Sequence, residues 1–71
     1  MGYITYQKLV LDGNEVSPGD RITSFRGEVA KFNYISAPAS AGKSGKVVVT
    51  WPDNLSAEYY PQVFGCELVD S

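Results

Sequence analysis

Apolar and polar residues alternate at short range along most of this chain, and Gly or Pro clusters break the pattern about every eight to twelve residues. No window of eleven residues carries an apolar stripe at helical spacing. The pattern predicts strands over Tyr3 to Leu11, Arg21 to Phe25, Val29 to Ser36, Lys46 to Trp51, Ala57 to Tyr60 and Cys66 to Val69. Asp12-Gly13-Asn14 supplies the positive φ of a tight hairpin, and Pro18-Gly19 marks the next turn. In the fourth decade, strict alternation puts Ala30, Phe32 and Tyr34 on one face and Val29, Lys31, Asn33 and Ile35 on the other. Val47, Val49 and Trp51 share a face, with Val48 opposite. Ala37 to Gly45 is a run of small residues that reads as a mobile loop. Pro61 to Gly65 is too short for an α-helix, and its leading Pro suits a 3₁₀ turn. Five or six short antiparallel strands are most easily buried by curling one sheet on itself, which makes the expected fold all-β: one small barrel over residues 1–71.

Length sharpens this picture. A 7.7 kDa chain exposes about 4,300 Å² when folded and about 11,000 Å² when unfolded, so folding buries roughly 60% of its surface. There is one cysteine and no histidine. A disulfide framework, a Cys/His zinc site and a Ser-His or Cys-His catalytic pair are therefore all excluded. The net charge of -2 weighs against general nucleic-acid binding, which usually needs a basic surface. Residues 1–7 have neither a basic start nor an apolar run, and no stretch reaches the ~20 apolar residues of a membrane helix. A cytoplasmic location is the expectation, and in that setting the Asn54-Leu55-Ser56 sequon is a turn rather than a glycan site.

Each candidate for chemistry has a plainer reading beside it. Residues 37–44 end in Gly42-Lys43-Ser44 and satisfy a relaxed phosphate-loop pattern, but strand follows where a helix is needed to hold phosphates. A flexible hairpin loop explains them as well. The eight carboxylates are scattered over turns, whereas a hydrolase needs two in one cleft. Cys66, flanked by Gly65 and Glu67, reads as a small core residue. Arg26 and Glu28 bracket Gly27 and would pair across a bulge, or Arg26 would touch a ligand. No catalytic, cofactor or metal site is expected.

The aromatics are the informative surplus. Nine rings make up 13% of the chain, more than a thin core must absorb. In the strand ending Tyr59-Tyr60, one ring points inward and one outward. The outward ring, with Trp51 or Tyr34, would form a shelf for an extended peptide or a stacked base. Tyr34, Trp51, Tyr59, Tyr60 and Arg26 are the candidate binding residues.

Two segments carry a resemblance. Pro61-Gln62-Val63-Phe64, entered from a Tyr-rich strand and followed by Cys66-Glu67-Leu68-Val69, resembles the end of an SH3-like barrel, where a Pro-containing 3₁₀ turn joins the last strands. Val16 to Ile22 resembles the turn and strand that open such barrels. With Phe25-Arg26-Gly27-Glu28, Gly45 to Val49 and Tyr59 to Gly65, the pattern from Val16 to Val69 is similar to a group of small bacteriophage proteins, especially of actinobacteriophages, that carry no assigned activity. The acidic, Tyr-rich loop with which SH3 domains read proline-rich peptides is absent. Taken with the missing catalytic groups, the acidic charge and the surplus aromatics, the resemblance leads to the expectation of a non-enzymatic SH3-like barrel of phage type that binds a host factor or a phage assembly component, in the host cytoplasm or with the virion. Nucleic-acid binding through Arg21, Arg26, Lys31, Lys43 and Lys46 is the alternative, and a structural place in the phage particle a third.

Overall fold

The computed structural model describes residues 7–37, 42 and 44–70. The expected strand residues 3–6 and most of the Gly42-Lys43-Ser44 loop, residues 38–41 and 43, lie outside the described residues. Within them the chain is all-β, with seven strands and one 3₁₀ turn: β1 (Gln7–Leu11), β2 (Asn14–Val16), β3 (Arg21–Thr23), β4 (Val29–Ala37), β5 (Lys46–Thr50), β6 (Ser56–Tyr59), the 3₁₀ turn η1 (Pro61–Phe64) and β7 (Glu67–Asp70). They form two antiparallel sheets, β2-β1-β7 and β3-β4-β5-β6. Among the described residues no strand pairing closes the two sheets into one. No helix among the described residues is long and apolar enough to cross a membrane.

The Asp12-Gly13 turn forms as expected. Both residues have positive φ, 52° and 82°, the geometry of a two-residue hairpin whose twist matches its strands. Its second arm is the strand that alternation misses. Asn14 and Glu15 are polar and exposed, and only Val16 turns inward. Pairing with β1, Leu11 opposite Asn14 and Leu9 opposite Val16, makes this segment a strand.

A tight corner then passes the chain to the second sheet. The Ser17 N–H donates to the Asp20 carboxylate at 2.8 Å, and the Gly19 N–H, at φ 97°, donates to the Phe32 carbonyl at 2.7 Å. The sheets enclose one core. Leu9 and Val16 come from the first sheet, Ile22, Ala30, Phe32, Val47 and Val49 from the second, and Phe64 and Cys66 from η1 and the link after it. Burying the facing apolar sides of two sheets is the main stabilising term at this size.

One alternation expected from sequence breaks. Phe32 pairs with Val49 and Tyr34 with Val48, leaving Asn33 as an extra residue on β4. This bulge shifts the phase of everything after it. Phe32 is buried at 3% exposure, whereas Tyr34 faces out at 58%, and Ile35 packs on the core instead. Asn33 is held there because its Nδ2 donates to Thr50 Oγ1 at 2.6 Å. A second shift falls between Ile35 and Ala37. Val47 and Val49 are fully buried, and Trp51 packs against the same core, as the pattern predicts.

Candidate functional site

Strand polarity brings two turns to one end of the four-stranded sheet. β4 leaves the β3–β4 turn at Val29, and β5 enters the β5–β6 turn after Thr50, which lies opposite Lys31. Among the described residues, five large apolar side chains stay exposed, and three of them are here: Phe25 at 77%, Val29 at 43% and Leu55 at 64%.

The β3–β4 turn is locked by its own backbone and by Ser24. The Ser24 N–H donates to the Glu28 carbonyl at 2.7 Å, and the Gly27 N–H to the Ser24 carbonyl at 2.9 Å. The buried Ser24 Oγ accepts from the amides of Arg26 and Glu28, both at 3.2 Å. The Phe25 N–H donates to Val63 at 2.9 Å, tying the turn to η1. Phe25 is thus held out on a turn that is already ordered, which lowers the entropy lost on binding. Arg26 does not pair with Glu28 as expected. Its guanidinium lies over the Phe25 ring, 5.7 Å from the centroid, where the ring face attracts a cation.

The β5–β6 turn presents Trp51. The Asn54 N–H donates to the Trp51 carbonyl, and the Trp51 N–H to Leu55, both at 2.9 Å. Asn54 sits in the left-handed region at φ 68°, which Asn tolerates better than most residues. The half-buried indole donates through Nε1 to Tyr59 Oη at 3.1 Å. Its ring meets Tyr59 edge-on at 5.6 Å, and both rings lie 5.9 Å from Phe64. A core aromatic therefore props up the surface one.

Trp51 lines two open depressions. One, of about 600 Å³, is lined by Glu28, Val29, Trp51, Pro52, Asp53 and Tyr59. The other, of about 470 Å³, is bordered by Arg21 and Lys31 on the Thr50 side. The first depression carries the acidic Glu28 and Asp53, the second the basic Arg21 and Lys31.

The five residues predicted from sequence divide into three places. Trp51 and Tyr59 share the groove. Tyr34 and Tyr60 stand on the outer face of the four-stranded sheet, at 58% and 48% exposure. Arg26 lies on the β3–β4 turn with Phe25. The expected split of the adjacent pair is present: Tyr59 packs against the core and Tyr60 is exposed. Sequence reasoning misses Phe25, Val29 and Leu55, because apolar residues next to strands read as core. The signal available was Ser24 followed three residues later by Gly27, a pattern that turns the chain before Phe25 reaches the interior. Comparison with protein-family models, curated sequences and solved structures finds no match.

Cys66 is buried at 4% exposure and its thiol donates to the Phe64 carbonyl. Burial, reinforced by the charge of Asp12, pushes the thiol above its ordinary range. A folded thiol that binds its proton more tightly than the unfolded one contributes stability below the ordinary thiol pKa, lost as pH rises through the thiol range. The urea midpoint of the wild type should therefore fall more than that of Cys66→Ala as pH becomes alkaline. Parallel pH profiles would remove this reading.

Proposed function

We propose that this chain is a non-enzymatic protein-binding module, and that its two sheets are the halves of an SH3-like barrel. The observation that carries the binding reading is the exposure of Phe25, Val29 and Leu55 on the two turns at one end of the sheet, with Val29 lining the depression beside Trp51. Large rigid rings at the centre of a surface, on an ordered backbone, are what anchors an interface. The corner that passes the chain between the sheets, with Gly19 and Asp20 bonded to Phe32, supports the barrel reading. The sequence has no histidine to activate a serine or cysteine, and Cys66 is buried with its thiol pushed up; both support a role without catalysis. The resemblance to small actinobacteriophage proteins makes the partner a host factor or a phage assembly component.

Immobilised protein should recover a specific partner from lysate of the host. Phe25→Ala and Leu55→Ala alter exposed side chains and spare the core, so they should abolish recovery while leaving the urea midpoint near that of the wild type. Trp51→Ala should abolish it too, with some loss of stability. Undiminished recovery by all three variants would move the interface elsewhere.

A further inference from the structure

Arg21 and Lys31 are direct cross-strand partners, and both side chains stand on the outer face, since Ile22 and Ala30 between them point into the core. Like charges placed opposite one another are destabilising. Neither is offset by an ion pair: the one such pair among the described residues is Lys46 with Glu58, at 3.6 Å. Asp20, next to Arg21 in sequence, takes the Ser17 amide. On this face Arg21, Lys31 and Lys46 stand against Glu58 alone, leaving it two charges positive. The whole chain is -2, so the remainder carries -4. Three of the chain's six cations, Arg21, Lys31 and Lys46, thus stand on one sheet surface of an acidic protein.

Rings share that surface. Tyr34, opposite Val48, lies one row beyond Lys31, turned out by the Asn33 bulge. Tyr60 follows Tyr59, which pairs with Val47, and this puts it beside Lys46, whose Nζ lies 5.2 Å from its ring. Rows on one face repeat about every 6.6 Å and strands lie about 4.8 Å apart. The two tyrosines are thus separated by roughly two strand widths, with cations beside each. Asn33, Thr50 and Ser56 form a line of side-chain hydrogen bonds next to Lys31.

We infer that the outer face of the four-stranded sheet binds single-stranded nucleic acid, with Arg21, Lys31 and Lys46 on phosphates and Tyr34 and Tyr60 stacked on bases. Cations interleaved with exposed rings on an open sheet suit a strand whose bases are free. A duplex hides its base faces and leaves the tyrosines unused. An acidic peptide engages the cations but gives the rings nothing to stack on. This surface adjoins the Phe25–Leu55 end where Arg21 and Lys31 border the depression beside Trp51, and its rings, Tyr34 and Tyr60, stand outside that depression.

The test is fluorescence anisotropy with a labelled oligothymidylate of about twelve nucleotides. The wild type should bind at low salt, with log affinity falling against log salt at a slope of about -2 for three phosphate contacts on a single strand. Replacing Arg21 and Lys31 together by Gln should weaken binding about tenfold or more and flatten the slope to about -0.7. Tyr34→Ala should weaken it about fivefold or more through lost stacking. Phe25→Ala should bind like the wild type. Should the double variant fail to fold, competition on the wild type decides: unlabelled single strand should displace the probe well before duplex of the same length. Absence of binding at low salt overturns the proposal. So does equal competition by duplex or by a polyglutamate peptide, or sensitivity to Phe25→Ala in place of Tyr34→Ala.

Discussion

Replacing Phe64 by alanine is expected to remove a large share of this protein's stability. Phe64 is 3% exposed, sits in the shared core and touches both Trp51 and Tyr59 at 5.9 Å. Truncating a buried Phe to Ala costs about 3–5 kcal/mol, while a domain of this length has roughly 4–10 kcal/mol in total. The remainder lies between about -1 and 7 kcal/mol, so about a third or more of the stability is lost. Trp51, the single tryptophan of the chain, reports the outcome directly. Its emission should shift red without denaturant in Phe64→Ala, as the indole loses both its ring neighbour and its buried side. Phe64→Leu fills most of the volume and forfeits mainly the ring geometry, worth about 0.5–1.5 kcal/mol per pair, so it should stay folded with a lowered urea midpoint. A Phe64→Ala protein with wild-type emission and midpoint would show that η1 does not hold the two sheets together.

Ser24→Ala should have the next largest effect on stability, although it removes one oxygen. That oxygen accepts the amides of Arg26 and Glu28 inside a residue only 7% exposed. Without it two amides in a partly buried turn lose their acceptor, at a cost of about 1–3 kcal/mol. The damage is local, because the Ser24–Glu28 and Gly27–Ser24 backbone bonds remain. Hydrogen exchange should therefore accelerate at Arg26 and Glu28 well before it does at Val47 or Val49. Ser24→Thr keeps the hydroxyl and should restore most of the protection. Equal protection in Ser24→Ala and wild type would mean the turn is held by its backbone alone.

The sequence is legible where one face of a strand decides everything. Val47, Val49 and Trp51 repeat at every second position with a dry side to fill, and the two valines become the most buried residues of the sheet. The Asp12-Gly13 turn and the Pro61 3₁₀ turn are legible because their residues constrain φ directly. β2 is not, since a strand of three residues owes its existence to pairing with β1 rather than to its own pattern. The outward turn of Tyr34 is not legible either, because a bulge is a property of two strands in register and Asn33 carries no mark of it. The candidate site suffers most. Phe25, Val29 and Leu55 have the composition of core residues, and only the position of their turns keeps them in water. Ser24 looks like any loop serine until the two amides that converge on it are seen.

The Asn33 bulge also bears on how such a surface changes over generations. Because the pleat repeats every two residues, a single codon gained or lost in β4 exchanges its inward and outward sets downstream, which no point substitution does. Phe32 and Tyr34, two positions apart, consequently answer to different selective demands: one to the packing of the interior, the other to whatever meets the sheet from outside. In descendants of this chain, abrupt shifts in outer-face chemistry should coincide with small insertions or deletions near Asn33, while residue-by-residue drift should leave the division between the two faces intact.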